Sequence, residues 1–369
     1  MDTRRDARRE VLSVTDQTAD RPADRTVSFG SSADQPADRR PDGPTVRRIR
    51  VAAGLDLHVE DLHSARTDTA QGAVPPDSTP VVLVHGIAGT TADWARVAPE
   101  LASTRRVIAY DHRGHGASDR AAGGRPSYTF DLLLADLVAL LDTLGPHAVD
   151  LVGHSMGGVV ALRYVLDHPE RVRSLVLVDT AAEPASATGG AARRVVSALL
   201  EGAAAIATAV HSAHDPEPAA DGGPSELSVV DERAGAAERH GSAADHQVEG
   251  LGRIDPEALV AFGRELGAYP SMVDRLNEIG CPTTVIVGER DSGLRDSAQT
   301  LARTISRAHL AVIAGADHSP HASRPLAWLA AVERHFGRLA ADLATDLATD
   351  KTIAPGRSAY PSAPLRPFT

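Results

Sequence analysis

Gly153-His154-Ser155-Met156-Gly157 sets a serine among glycines where one apolar run, "VDLVG" (149–153), gives way to a second. A hydroxyl held out at a strand-to-helix turn is a candidate nucleophile, and the chemistry open to it is attack on a carbonyl carbon. Small residues two positions to either side let the strand and helix approach closely and leave the hydroxyl at the sheet's edge. The N-terminus of the following helix adds free N–H groups and a positive dipole end, which favour developing negative charge. A plain packing corner would ask for the same glycines. The buried strand before and the amphipathic helix after favour the nucleophile.

Serine alone is a weak nucleophile, so it needs a base, and the base needs an orienting carboxylate. Two downstream segments supply them: "VIVGERD" ends an expected strand with Asp291, and "AVIAGADHSPH" ends the next with His318. In a parallel sheet both fall at the edge that carries Ser155, where active sites of such sheets assemble. Asp179 also ends an expected strand and is the rival partner for His318. Asp317 adjoins the histidine in sequence, but its side chain should point elsewhere. His321 reads as a rim residue of the same loop. The pairs His112/His115 and His211/His214 have spacings that suggest a metal, but no further ligands cluster near them, and no metal is expected.

The elements that must position these groups alternate along the chain. "TVRRIRVAAGLDLHVEDLH" reads as two strands turning at Gly54, and "PVVLVHG" (80–86) and "RVIAYD" (106–111) as strands buried on both faces. Thr91 to Ser103 is helical in pattern. Phe130, Leu133, Leu134, Leu137, Leu140, Leu141 and Leu144 form one helix face, capped by Ser127 or Thr129 and stopped at Gly145-Pro146. Strands at 149–153, 173–179, 282–288 and 309–313 and helices at 155–167, 296–306 and from Pro325 continue the rhythm. The fold class is α/β, a mostly parallel central sheet flanked by helices. The rhythm breaks over 181–279, where a structureless loop of that length is improbable, so a helical cap is expected, with a low-complexity linker near 211–250. The expected organisation is a disordered arm (1–44), a first core part (45–180), the cap (181–279), a second core part (280–338) and a tail (339–369).

Four motifs, "VLVHGIAGT", "DHRGHGASD", "VGHSMGG" and "VIVGERD…GADHSP", make the chain resemble the α/β-hydrolase-fold serine hydrolases over roughly 46–180 and 280–337. The order Ser…Asp…His fits that fold. The resemblance implies an oxyanion hole built from the backbone N–H groups of Ile87 and Met156. Related epoxide hydrolases and haloalkane dehalogenases carry Asp at the nucleophile position, where this chain has Ser155. Many relatives also carry a glutamate after the histidine where this chain has Ser323, which leaves the support of the histidine loop open.

Composition narrows the field further. A formal charge of −11 and a pI near 5.8 argue against general affinity for nucleic acid or anionic membranes. The single cysteine, Cys281, precludes an internal disulfide and reads as a buried structural thiol. With no signal-peptide core or long apolar run, a soluble, cytoplasmic protein is expected. The expected activity is hydrolysis, without cofactor, of an ester or lactone of a small, fairly apolar substrate, carboxylesterase-like, through an acyl-enzyme on Ser155. Same-fold alternatives are hydrolysis of a carbon–carbon bond and cofactor-free perhydrolysis of the haloperoxidase-like kind. A non-catalytic receptor on the same scaffold is a further alternative. A homodimer is compatible with the sequence, and nothing in it decides the oligomeric state.

Overall fold

A computed structural model describes residues 44–63, 79–185 and 253–350. The expected N-terminal arm up to residue 43, the stretch 186–252 of the expected cap, His211 and His214, and the tail beyond 350 lie outside the described residues.

The eight described strands are β1 (Thr45–Ala52), β2 (Leu55–Leu62), β3 (Val81–Val84), β4 (Val107–Tyr110), β5 (Val149–His154), β6 (Val172–Val178), β7 (Thr283–Gly288) and β8 (Ala308–Ile313). They form one sheet in the order β1-β2-β4-β3-β5-β6-β7-β8. β1 and β2 are a hairpin turning at Gly54 (φ 71°), β2 runs antiparallel to β4, and every later pair is parallel. The mostly parallel sheet stands as expected. Its consequence for function is direct: the carboxyl ends of β3 to β8 all open onto the same edge.

Strand side chains alternate between two apolar layers, because successive residues of a strand point to opposite faces. Leu151, Leu175, Leu177, Val285 and Val287 pack with α2 (Phe130–Leu144), α3 (Met156–Asp167), α4 (Pro256–Ala268) and α5 (Arg295–Thr304). Val152, Val176, Val178 and Ile286 pack on the other side with α1 (Ala98–Ala102), Trp94 and α7 (Pro325–Asp350), which follows the short α6 (Pro320–Ser323).

The leucine stripe of α2 forms as its spacing predicts. Thr129 is the N-cap, its side chain accepting the Leu132 N–H, and Gly145 ends the helix in the left-handed conformation. Phe130, Leu133, Leu137, Leu140 and Leu141 are buried, while Leu134 and Leu144 are half-buried. Each fully buried side chain of this size is worth about 1.5–3 kcal/mol. The stripe also buries a residue that apolar periodicity does not flag. Asp136 sits at 2% exposure, held in a bidentate pair by Arg113 with both bonds at 2.6 Å.

Other stretches differ from expectation. The helical pattern of Thr91–Ser103 divides into a 3-10 turn, Thr91–Trp94, and α1. Pro99 has no N–H to donate and suits the first turn of a helix, so the helix restarts there. α7 runs on to Asp350, extending the helix into the "LATDLATD" segment as that stretch's pattern allows, and Leu339, just past the boundary at 338, is still buried in its layer. The described end of the expected cap also packs on the main body. In α4, capped by Asp255, Phe262 stacks on Phe130, and Ala258 and Ala261 join the same apolar layer. None of the described helices is long and apolar enough to cross a membrane.

Candidate active site

Ser155 follows β5 as the N-cap of α3 and carries φ 52°, ψ −117°, a conformation costly for a residue with a side chain. What holds it there is close packing. Gly157, in the first turn of α3, lies so near the carbonyls of Val84, the last residue of β3, and of His85 just after it that a β-carbon would overlap them. Gly153 is similarly pressed: a β-carbon would stand 2.6 Å from the Gly157 carbonyl oxygen. Because the atoms met at Gly157 are backbone and cannot swing aside, Gly157→Ala is expected to cost about 3 kcal/mol, the upper end of overpacking penalties. A thermal melt checks this, and an unchanged Tm would contradict the packing account.

His318 lies in the loop after β8 and Asp291 in the loop after β7. The structure brings both to Ser155. His318 Nε2 is 3.0 Å from Ser155 Oγ, and its Nδ1–H donates to Asp291 Oδ2 at 2.6 Å. These three groups come from sites up to 163 residues apart. Burial pushes the Asp291 carboxyl up. Its bond with His318, with smaller contributions from the neighbouring Asp179 and the Leu294 N–H, more than offsets this and holds it below the ordinary range. It therefore stays charged opposite the imidazole.

The loop after β3 passes beside Ser155, since a β-carbon on Gly86 would come within 3.2 Å of that of Ser155. Ile87 follows in this loop, and Met156 supplies the first N–H of α3, one of the amides a helix start leaves without an internal partner. Three buried histidines tie the loop down. His85 donates from Nδ1 to the Gly86 carbonyl and accepts the His112 N–H on Nε2, which fixes one neutral tautomer. His112 Nε2 donates to the His85 carbonyl, and His115 Nε2 to that of Ile87 at 2.5 Å. Burial holds all three rings below the ordinary histidine range, His112 at about 3. The pair His112/His115 is thus committed to backbone carbonyls.

His154, inside the motif but not singled out from sequence, is a supporting residue. Its Nε2–H donates to the carbonyl of His318 at 2.8 Å and so holds the His318 backbone from behind. Its only sequence signal is its place before Ser155. His321 corrects an expectation: it is 1% exposed rather than on a rim, packed between Trp94 and His154. Burial pushes it down to about 3, so it carries no charge at neutral pH. Ser323 answers the open question about the histidine loop. Its hydroxyl donates to Asp317 Oδ1, which also accepts the Ser319 N–H, so Asp317 turns into its own loop and away from His318.

Asp179 lies beside the site but does not take the bond to His318. Among the described residues one grouping of three, Asp179, Asp291 and His318, brings metal-capable atoms within 4.8 Å of one another. In it His318 Nδ1–H already donates to Asp291, an arrangement for holding protons.

Comparison with known proteins then assigns the family. The model of the alpha/beta hydrolase fold matches residues 79–325, the greater part of the chain. The chain belongs to that family. Among its relatives, a 2-hydroxymuconate semialdehyde hydrolase from Pseudomonas sp. (strain CF600) is 40% identical over 37% of this chain and 44% of its own length. A putative 2-succinyl-6-hydroxy-2,4-cyclohexadiene-1-carboxylate synthase from Bacillus subtilis (strain 168) is 26% identical over 74% of this chain and 93% of its own. The matches to the first curated relatives span less than half of those proteins' length. A solved thermophilic esterase from Thermogutta terrifontis superposes with a TM-score of 0.59 at 25% identity, covering 80% of this chain and 99% of that one. The activities named for these proteins differ from one another.

Proposed function

We propose that this alpha/beta hydrolase is a serine hydrolase that cleaves an ester or lactone of a small, fairly apolar substrate through an acyl-enzyme on Ser155. The observation that carries the reading is the continuous hydrogen-bonded line from Ser155 through His318 to Asp291. His318 Nε2 takes the hydroxyl proton as Ser155 Oγ bonds to the carbonyl carbon. Asp291 holds the ring in the right tautomer and balances its charge. The N–H groups of Ile87 and Met156 receive the oxyanion, each donor worth about 3–4 kcal/mol of transition-state stabilisation. The carbonyl reforms as the carbon–oxygen bond to the leaving alkoxide breaks, and His318 gives that oxygen its proton. Water, deprotonated by His318, then clears the acyl group by the same steps in reverse order. No cofactor enters this scheme.

A second reading, hydrolysis of a carbon–carbon bond next to a ketone, is favoured by the 40% identity to a semialdehyde hydrolase over the stretch that matches. One experiment orders the readings. The protein is treated with a fluorophosphonate probe and then assayed on nitrophenyl esters, lactones and a vinylogous diketone. Labelling with ester or lactone turnover supports the proposal, and diketone turnover alone moves it to the second reading. Absence of labelling overturns the nucleophile, and tight binding of a panel member without turnover would indicate a receptor.

A further inference from the structure

Two non-glycine residues among those described have left-handed backbone, Ser155 (φ 52°) and Asp179 (φ 43°). Such strain persists only where the surroundings over-determine it, and it gathers at working sites. For Ser155 the cause is the nucleophile turn. Asp179 has no part in the reaction as drawn above, yet it directly follows β6, 1% exposed, on the same sheet edge.

Its two oxygens are unequal. Oδ1 accepts the N–H of Gly288, the last residue of β7, at 2.9 Å. Oδ2 is fully buried and has no hydrogen-bond partner among the described residues. An orphaned buried carboxylate oxygen is expensive, and the charge of the half-buried Asp291 carboxylate this close by disfavours a second charge on Asp179. Asp291 is the one held charged, by the Nδ1–H of His318 and the Leu294 N–H. The proton therefore belongs on Asp179, and the oxygen without a partner is the place for it.

We propose that Asp179 is a neutral carboxylic acid whose Oδ2–H donates to the Asp291 carboxylate, making it the positioning residue behind the acid of the Ser155–His318–Asp291 line. The activity readout of this inference rests on the proposed function; the location of the proton does not. Burial, and then the charges of Asp291 after β7 and Asp317 after β8, push Asp179 up to about 9, against the pull of the Gly288 N–H. The folded protein thus keeps a proton that the unfolded chain releases above about pH 4. The contribution of Asp179 to native stability therefore falls as pH climbs from there to about 9, and levels off beyond.

Asp179→Asn supplies an amide N–H to Asp291, a carbonyl to Gly288 and no ionisable proton, and asparagine tolerates positive φ. Asp179→Gly keeps the backbone allowed and removes the donor. Wild type and both variants are compared by fluorophosphonate labelling rate and nitrophenyl-ester kinetics from pH 6 to 10, and by Tm from pH 4 to 10. Wild-type kcat should fall with a midpoint near 9. Asp179→Asn should stay within about threefold of wild type at pH 7, lack that fall and show a flatter Tm profile. Asp179→Gly should lose about tenfold in kcat at nearly constant KM, the effect of removing one hydrogen bond to a charged group. An alkaline fall retained in Asp179→Asn, or wild-type kcat in Asp179→Gly, overturns the proposal. If no form labels, the nucleophile reading fails instead, and the Tm profiles of wild type and Asp179→Asn still decide where the proton sits.

Discussion

Replacing Ser155 by alanine is expected to lower kcat by about 10⁶-fold and abolish fluorophosphonate labelling, while leaving the fold in place. The size follows from what is lost. The other members of the line act only through the serine, so its removal costs nearly as much as removing all of them. What survives is the loop after β3 and the start of α3, whose N–H groups can still polarise a bound carbonyl for attack by water, a residual of about 10³–10⁴ over the uncatalysed rate. Alanine inherits the strained φ of 52°, so it neither relieves the turn nor adds bulk beside Gly86. Steady-state turnover of the best ester, with labelling measured on the same preparation, checks the result. Labelling equal to wild type would move the nucleophile elsewhere in the chain.

Asp291→Asn is expected to lower kcat by about 10⁴-fold with little change in KM. The asparagine fills the same space but can turn an N–H toward Nδ1 of His318, now 2.6 Å from the carboxylate. The ring would then carry its hydrogen on Nε2, facing Ser155, and could not accept the serine proton. Because the Asp291 carboxyl is held below its ordinary range, the folded state favours its charged form. That contribution to stability is fully present above the unfolded value near 4 and is lost as pH falls through the lower folded value. The variant should therefore melt with a weaker acid dependence below pH 4 than wild type. Turnover across pH and a melting series read both effects. A kcat loss under about tenfold would hand the orienting role to Asp179, the neighbour within reach.

The serine, histidine and aspartate were legible because each stands at the end of an apolar run, and parallel strands bring their carboxyl ends to one edge. The same logic made Asp179 a rival to Asp291, since both directly follow or closely follow a strand. Sequence order could not separate them: the choice depends on which carboxylate meets Nδ1 of His318, a matter of ångströms across two neighbouring loops. The burial of His321 was hidden for a related reason. Its loop turns inward through α6, so a polar residue a few positions past a strand ends up under Trp94. The Arg113–Asp136 pair was equally silent, because apolar periodicity marks where a face is buried and not which charge is buried with it.

Local chemistry by itself pointed to Ser155 and its turn, to the alternating architecture and to His318. Each rests on neighbours within a few residues, on glycines, caps and periodicity, whose consequences are dictated by backbone sterics and burial. Only the tertiary structure decided which of two aspartates meets Nδ1 of His318, that His154 holds the His318 carbonyl, and that the Asp179 and Asp291 carboxylates lie side by side. These depend on distances between separate strand ends and on exclusion from water, and residue spacing along the chain encodes neither.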